Sequence, residues 1–122
     1  MRVVVELDSS PRAPARARAE LAPTRDALDP DVHADLLLVV SELVTNSVKY
    51  GPGCPVRVDV TTEGRRRVRG EVVDQGESAD LIAAAAPPDD EPGGRGLRIV
   101  DQLARWGVYE GSTHVWFELG DA

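Results

Sequence analysis

Glu42 and Asn46 are a pair of residues whose types and spacing could do chemistry together. They stand four residues apart in a segment with helical spacing, which places both polar heads on one face of a helix. An asparagine oxygen can bind Mg²⁺, a hard cation that keeps several waters and also binds substrate phosphates. A glutamate beside it can orient or deprotonate a nucleophile. A solvated polar stripe on an amphipathic helix would show the same pair, so the pair alone leaves both interpretations open.

Asp74, Gln75 and Gly76 follow the apolar pair Val72-Val73 at the expected end of a strand. In the functional interpretation, the Asp74 carboxylate accepts a hydrogen bond from the exocyclic amine of adenine, and Gly76 lets the backbone approach the base closely. Guanine carries a carbonyl at the equivalent position, so this contact would favour adenine. Taken alone, the tripeptide also fits an ordinary strand-end turn.

The segment Gly93-Gly94-Arg95-Gly96-Leu97 is unusual because its three glycines stand directly before a helical pattern and do not help that helix to form. Free N–H groups at a helix N-terminus, with the partial positive charge of the helix, attract an anion, and glycine allows its close approach. Arg95 could add a charge-assisted contact to a phosphate. The segment lacks the Gly-Lys-Ser/Thr of a P-loop and the glycine order of a dinucleotide fingerprint. A loop followed by a helix cap is the alternative.

Three helical segments carry or flank these residues. The first covers residues 11–28, and Pro23 is expected to kink or end it. The second begins at residues 29–31 and stops before residues 51–53, and its apolar residues recur at helical spacing. Apolar spacing over residues 95–105 predicts the third. The second helix therefore carries Glu42 and Asn46, and the glycine-rich segment opens the third.

Alternating apolar and charged residues predict the strands, and residues 78–92 are interpreted as a loop. The predicted strands cover residues 3–7, 56–60, 68–72, 108–109 and 114–119. Trp106, at the expected end of the third helix, and Trp116, in the last strand, are expected to pack in the core. Helices that must bury an apolar stripe on such strands predict an α+β fold: a two-layer sandwich of a mainly antiparallel sheet with helices on one face.

Composition restricts the class of protein. At 122 residues the chain is expected to form a single domain, 1–122. A net charge of −7 provides no global positive field for a nucleic-acid backbone, so nucleic acid is not expected as a partner. No apolar run approaches the length of a membrane span, and the single Cys54 suits a reducing compartment. A cytoplasmic location without membrane contact is therefore expected.

Taken together, the three signatures resemble those of the GHKL ATPase superfamily, and most of all its anti-sigma-factor serine kinases and their stand-alone histidine-kinase-like relatives. Residues 41–48 look like the N box of that superfamily, residues 73–76 like its first glycine box, and residues 93–100 like its second. The resemblance covers nearly the whole chain. Any one motif is weak, whereas the set in this order is specific.

The resemblance implies a Bergerat ATP-binding fold that holds ATP and Mg²⁺. In such proteins the residue matching Asn46 helps to hold Mg²⁺, the residue matching Glu42 is the catalytic base, and the residue matching Asp74 reads adenine with Gly76 beside it. The second glycine box, here Gly94, Arg95, Gly96 and Leu97, closes over the phosphates. The resemblance further implies a sigma factor and an anti-sigma-factor antagonist protein as partners, phosphorylation of a serine of the antagonist, and homodimerisation.

The chain departs from the pattern of these relatives at two places. Lys49-Tyr50 stands where relatives often carry a basic residue followed by histidine. Relatives often have a threonine directly before Val-Trp, whereas this chain has His114 there and Thr113 one position earlier. A shift of one residue reverses the side of the sheet to which a strand side chain points. Thr113 is therefore not expected to replace the hydroxyl that the threonine of the relatives gives to the nucleotide. These departures keep a second hypothesis open: a non-catalytic partner-switching module that binds ATP or acts without it.

Overall fold

The computed structural model describes residues 1–50, 53, 55–74, 92–108 and 114–120. Within them the chain forms five strands, three α-helices and one 3-10 turn. In chain order they are β1 (Arg2–Leu7), α1 (Ala13–Glu20), the 3-10 turn (Ala22–Arg25), α2 (Pro30–Tyr50), β2 (Val56–Thr62), β3 (Arg67–Asp74), α3 (Pro92–Leu103), β4 (Ala104–Val108) and β5 (His114–Gly120). Among the described residues, no helix is both long and apolar enough to cross a membrane.

The strands form one sheet in the order β1-β2-β3-β5-β4, and each neighbouring pair is antiparallel. Successive side chains of a strand point to opposite faces of a sheet. On one face the apolar side chains, such as the paired Val58 and Val72, are fully buried beneath the helices. Charged residues alternate with them and lie on the other face, which we call the open face. This arrangement confirms the predicted two-layer α+β sandwich.

Helix α2 contributes the largest apolar stripe of the helical layer. Its buried residues recur three or four positions apart, as expected for one face of a helix. They are Val32, Leu36, Val39, Val40, Leu43 and Val44. The helix starts where the sequence predicted, with Pro30 in its first position, and the N–H of His33 donates to the carbonyl of Asp29 at 2.9 Å.

Arginines of the turn between β2 and β3 hold the start of α2. Arg65 lies 2.9 Å from an oxygen of Asp29, and Arg66 contacts both Asp29 and Asp31, at 3.3 and 3.1 Å. The hydrogen bond from Arg65, supported by Arg66, lowers the pKa of Asp29, and the hydrogen bond from Arg66 lowers the pKa of Asp31. These contacts fasten one end of α2 to the sheet.

The first helical segment is broken near Pro23, as predicted. Helix α1 ends at Glu20, and the 3-10 turn Ala22–Arg25 follows it. In this turn the Thr24 hydroxyl donates to the carbonyl of Leu21 at 2.7 Å, and the Thr24 side chain is fully buried. The chain thereby changes direction before α2 begins.

The third helix differs from its predicted bounds at both ends. Helix α3 begins at Pro92, because the fixed φ of proline suits the first helical position, and it ends at Leu103. The next residues form β4, which pairs with β5 from Ala104 opposite Leu119 to Val108 opposite Val115. Pairing with β5 therefore decides the conformation of residues 104–108, where local apolar spacing favoured a longer helix and a shorter strand.

The two tryptophans lie on different faces of the sheet. Trp106 is half-buried against the core, as predicted, and its Nε1 donates to Oδ1 of Asp101 at 3.1 Å. The prediction that Trp116 packs in the core is wrong, because its neighbour Phe117 points into the core and Trp116 lies on the open face. The Phe117 ring occupies the space that a side chain at Gly70 would need, so Gly70 serves core packing.

Candidate functional site

Asp74 stands at the end of the sheet where three strands meet. It pairs with Val56 at the start of β2, and the preceding Val73 pairs with His114 at the start of β5. Its side chain is only 4% exposed, and Thr24 is the one other polar residue that is buried among the described residues. Burying a carboxylate is costly unless polar groups compensate it. A buried aspartate at this position therefore indicates a polar site at the end of the sheet.

Helix α2 brings Glu42 and Asn46 towards the same end of the sheet. The helix ends at Tyr50 and β2 begins at Val56, so its C-terminal turns must lie near the start of β2 and hence near Asp74. The helix also packs on β3. Asn46 lies about one helical turn after Glu42, and both side chains are half-buried. The pair therefore lies partly covered at the border of the core.

The flank of α2 that carries Glu42 and Asn46 is turned away from α1. The guanidinium of Arg18 in α1 donates to the Ser41 hydroxyl, which places α1 on the Ser41 flank. At about 100° per residue, Glu42 lies about 100° and Asn46 about 140° around the helix from Ser41. The sequence contained no signal for the contact between Arg18 and Ser41, because their separation of 23 positions follows no local rule.

Helix α3 packs on the other flank of α2. Helices α1 and α3 both contact α2, but α1 contacts the edge strand β1 whereas α3 contacts the opposite edge strand β4. The two helices therefore lie on opposite sides of α2, and the flank with Glu42 and Asn46 faces α3. This arrangement places Glu42 and Asn46 on a helix next to the one that begins with the glycine-rich segment.

The glycine-rich segment forms the first turns of α3. Its helix begins at Pro92, so the backbone of Gly94, Arg95, Gly96 and Leu97 is helical, whereas the surroundings of their side chains lie outside the described part of the chain. The first N–H groups of any α-helix have no intrahelical partner, and they carry its partial positive charge. Since α3 ends where β4 begins, these turns are its part farthest from that junction.

Asp101 positions α3 against the sheet through its hydrogen bond to Trp106. The bond is 3.1 Å long from Nε1 to Oδ1 and connects the last turn of α3 with β4. Strand β4 follows α3 directly in the sequence, so the bond fixes the angle at which the helix leaves the sheet. Sequence reasoning did not single out Asp101. The sequence did contain a signal for this hydrogen bond: a carboxylate stands five residues before a tryptophan, whose indole carries an N–H donor.

Two predicted residues, Gly76 and Thr113, lie outside the described residues. The neighbouring departure, His114, is described: it lies on the open face, and its Nε2 is 2.8 Å from Oε2 of Glu71. The side chain at this position therefore does not contribute to the surroundings of Asp74, which points to the face that the helices cover.

The polar atoms of the described residues are of the kinds that bind a nucleotide and its magnesium ion. Asn46 offers a hard oxygen ligand of the kind that Mg²⁺ prefers, Glu42 offers a carboxylate that can act as a base, and Asp74 offers an acceptor for an amine. The described residues contain no group of three or more histidine, cysteine, aspartate or glutamate side chains placed to hold a metal. A magnesium ion here would take other ligands from phosphates and water, which is its common mode of binding.

Comparison with known proteins identifies the family of the chain. The model of the histidine kinase-like ATPase domain matches residues 6–118, which is nearly the whole chain. A search of curated proteins finds no match. The matched range extends from the last two residues of β1 to most of β5 and contains every described helix and strand between them. The five-stranded antiparallel sheet with its helices is consistent with the fold of this family. The chain belongs to the histidine kinase-like ATPase domain family.

Proposed function

We propose that the protein is an ATP-dependent serine kinase of the anti-sigma-factor type. Membership in the histidine kinase-like ATPase family supports an ATP-binding regulatory function. The observation that carries the proposal is the placement of the buried Asp74 at the sheet end towards which α2 brings Glu42 and Asn46. The flank of α2 that bears this pair faces α3, whose first turns are rich in glycine.

Asp74 reads the base. Its carboxylate accepts a hydrogen bond from the exocyclic amine of adenine, and the low exposure of the side chain strengthens that bond by excluding water. Gly76, two residues on, leaves room for the base to approach the backbone. Guanine would present a carbonyl oxygen to the same carboxylate, so the site prefers ATP to GTP.

The helices bind and orient the phosphates. The free N–H groups at the start of α3, those of Gly93 and Gly94 among them, donate to phosphate oxygens, Gly96 leaves room for a close approach, and Arg95 adds its charge. The amide oxygen of Asn46 holds Mg²⁺, which would neutralise phosphate charge when bound. Phosphoryl transfer depends mainly on positioning and on neutralised charge, and these groups provide both.

Glu42 acts as the base towards a serine of the antagonist protein. As the serine oxygen forms its bond to the γ-phosphorus, the bond to the ADP oxygen breaks, ADP leaves, and Glu42 takes the hydroxyl proton. The same protein sequesters a sigma factor, so that the two partners form a switch that controls transcription. The resemblance supplies both partners, and the partly covered position of Glu42 is compatible with a base that meets a partner's side chain.

A second candidate function is favoured by His114. Relatives often carry a threonine here, whereas this chain has an imidazole beside Glu71 on the open face. A departure from the relatives' pattern at this place leaves partner binding as a function that needs no ATP. The alternative is therefore a non-catalytic partner-switching module that grips its partners with little or no help from ATP.

Exchange of Glu42 for glutamine tests the kinase. The variant keeps the shape of the side chain and loses the base, so we expect phosphoserine formation on the antagonist to fall by about 100-fold or more. The ATP dissociation constant, measured by calorimetry, should change by less than about threefold, a free-energy change below about 1 kcal/mol. Asp35→Asn is the matched control, because Asp35 is a half-buried acid on the same flank of α2, two turns earlier.

The outcomes separate the two candidate functions. Loss of phosphorylation in Glu42→Gln, with both activities intact in Asp35→Asn, supports the kinase. Parallel loss of phosphorylation and ATP binding in Glu42→Gln contradicts the role of Glu42 as a base. A wild-type protein that binds sigma factor and antagonist but never forms phosphoserine is the partner-switching module.

A further inference from the structure

Two kinds of contact attach the last turns of α3 to the rest of the fold. Val100 is fully buried and Leu103 packs against the core, so their apolar side chains fix how closely the helix approaches the sheet. Hydrophobic contact is non-directional, and by itself it permits a helix to roll about its axis. Asp101 lies about 100° around the helix from Val100, and its Oδ1 accepts the hydrogen bond from Nε1 of Trp106 at 3.1 Å. A hydrogen bond is directional, so this contact fixes the roll of α3.

Trp106 is a firmly held partner for Asp101. Its backbone pairs with Phe117 of β5, which is 1% exposed, and its ring is half-buried against the core. Indole has a single N–H and no acceptor, so the packed ring offers one donor in one direction. The acceptor is a carboxylate, which makes the bond stronger than one between neutral groups. Rotation of α3 away from this geometry would break the bond.

A change of angle at this end of α3 is enlarged at its other end. Pro92 stands nine positions before Asp101, and at about 1.5 Å per residue the distance between them along the helix axis is about 13 Å. A tilt of about 10° at Asp101 would therefore move the first turn by about 2 Å. A displacement of about 1 Å can already reduce a rate about 100-fold where groups must be placed accurately. The placement of the first turn thus depends on the contact at the last turn.

We propose that Asp101 and Trp106 are a positioning pair that aims the first turns of α3 at the phosphates of the nucleotide. The inference rests on the proposed function, in which the free N–H groups at the start of α3 bind those phosphates. Both residues lie at the opposite end of α3 from its glycine-rich start, so they act through the helix and not by contact with the nucleotide. Asp74 lies on β3 and reads the base without them. The pair therefore controls the affinity for the phosphates and leaves the affinity for the base unchanged.

A comparison of ATP with adenosine tests the inference, because adenosine has the base and no phosphates. Trp106→Phe removes the N–H donor and keeps an aromatic ring at the same place. In calorimetric titrations with Mg²⁺ present, its dissociation constant for ATP should rise about three- to tenfold, the effect of one hydrogen bond. Its dissociation constant for adenosine, titrated at millimolar concentration, should stay within about twofold of the wild-type value.

Variants of Asp101 separate positioning from charge. Removal of a carboxylate should by charge alone strengthen the binding of the ATP anion, whereas loss of the positioning contact in Asp101→Ala should weaken it as much as Trp106→Phe does. The double variant should bind ATP no more weakly than either single variant, because both exchanges remove the same bond. Asp101→Asn keeps an acceptor oxygen and should recover part of the affinity. Gln102→Ala, at an exposed neighbour on the same turn, is the control and should change neither dissociation constant.

Thermal unfolding of each variant confirms that the titrated protein is folded. Wild-type ATP binding that is unchanged in Trp106→Phe and in Asp101→Ala overturns the inference and leaves the proposed function intact. Equal losses of ATP and adenosine affinity, or additive losses in the double variant, also overturn it, because the pair would then serve the fold alone. A wild type that binds neither ATP nor adenosine overturns the proposed function, and this inference with it.

Discussion

Replacement of Asp74 by asparagine isolates the role of its carboxylate. The two side chains have nearly the same shape, so the buried position should accept the change without a cavity. The variant loses a charged acceptor for the adenine amine, and a hydrogen bond to a charged group contributes about 1.5 to 3 kcal/mol. We therefore expect ATP to bind about 10- to 150-fold more weakly.

GTP distinguishes base recognition from a structural role. The carboxylate of Asp74 opposes the carbonyl of guanine, whereas an asparagine can turn its amide NH₂ towards that carbonyl. The preference for ATP over GTP should therefore decrease because ATP binding weakens and GTP binding does not. The assay is calorimetric titration of the wild type and Asp74→Asn with each nucleotide in the presence of Mg²⁺.

Thermal unfolding of the same two proteins provides the control. The melting temperatures show whether a weaker nucleotide affinity comes from lost base recognition or from a damaged fold, because asparagine keeps the shape of the buried side chain. ATP and GTP affinities that fall together would refute the role in base recognition. An ATP dissociation constant within about threefold of the wild-type value would also refute it.

Two further predictions concern the fold. Gly70→Ala should lower the free energy of unfolding, measured in urea, by about 1 to 3 kcal/mol, because the added Cβ would overlap the buried Phe117 ring. An equal loss when Phe117 is replaced by leucine would contradict this cause. The pKa of Asp29 is lowered by Arg65, so its ion pairs stabilise the fold above pH about 4 and are lost as the pH falls through the lowered value. The melting temperature of Asp29→Asn should therefore depend less on pH below about 4.5 than that of the wild type, and parallel pH profiles would contradict it.

Sequence alone predicted those elements whose signals are local. Pro30 and the apolar stripe of α2 fixed the start and the face of the longest helix, because helix propensity, proline and periodicity act over a few residues. Alternation located β2 and β3, and with them the two-layer architecture. The order of Glu42, Asn46, Asp74 and the glycine-rich segment indicated the family, which the match over residues 6–118 confirms.

Only the tertiary structure decided what depends on distant partners. Pairing with β5 made residues 104–108 a strand, although their apolar spacing continued that of the preceding helix. Strand register put Trp116 on the open face and Phe117 in the core, a choice that hydrophobicity could not make because both side chains are large and aromatic. The contact of Arg18 with Ser41 joins residues 23 positions apart and helps to turn Glu42 and Asn46 towards α3. Side-chain identity thus determined the chemistry of the candidate site, and the packing of three helices on one sheet determined which of its groups come together.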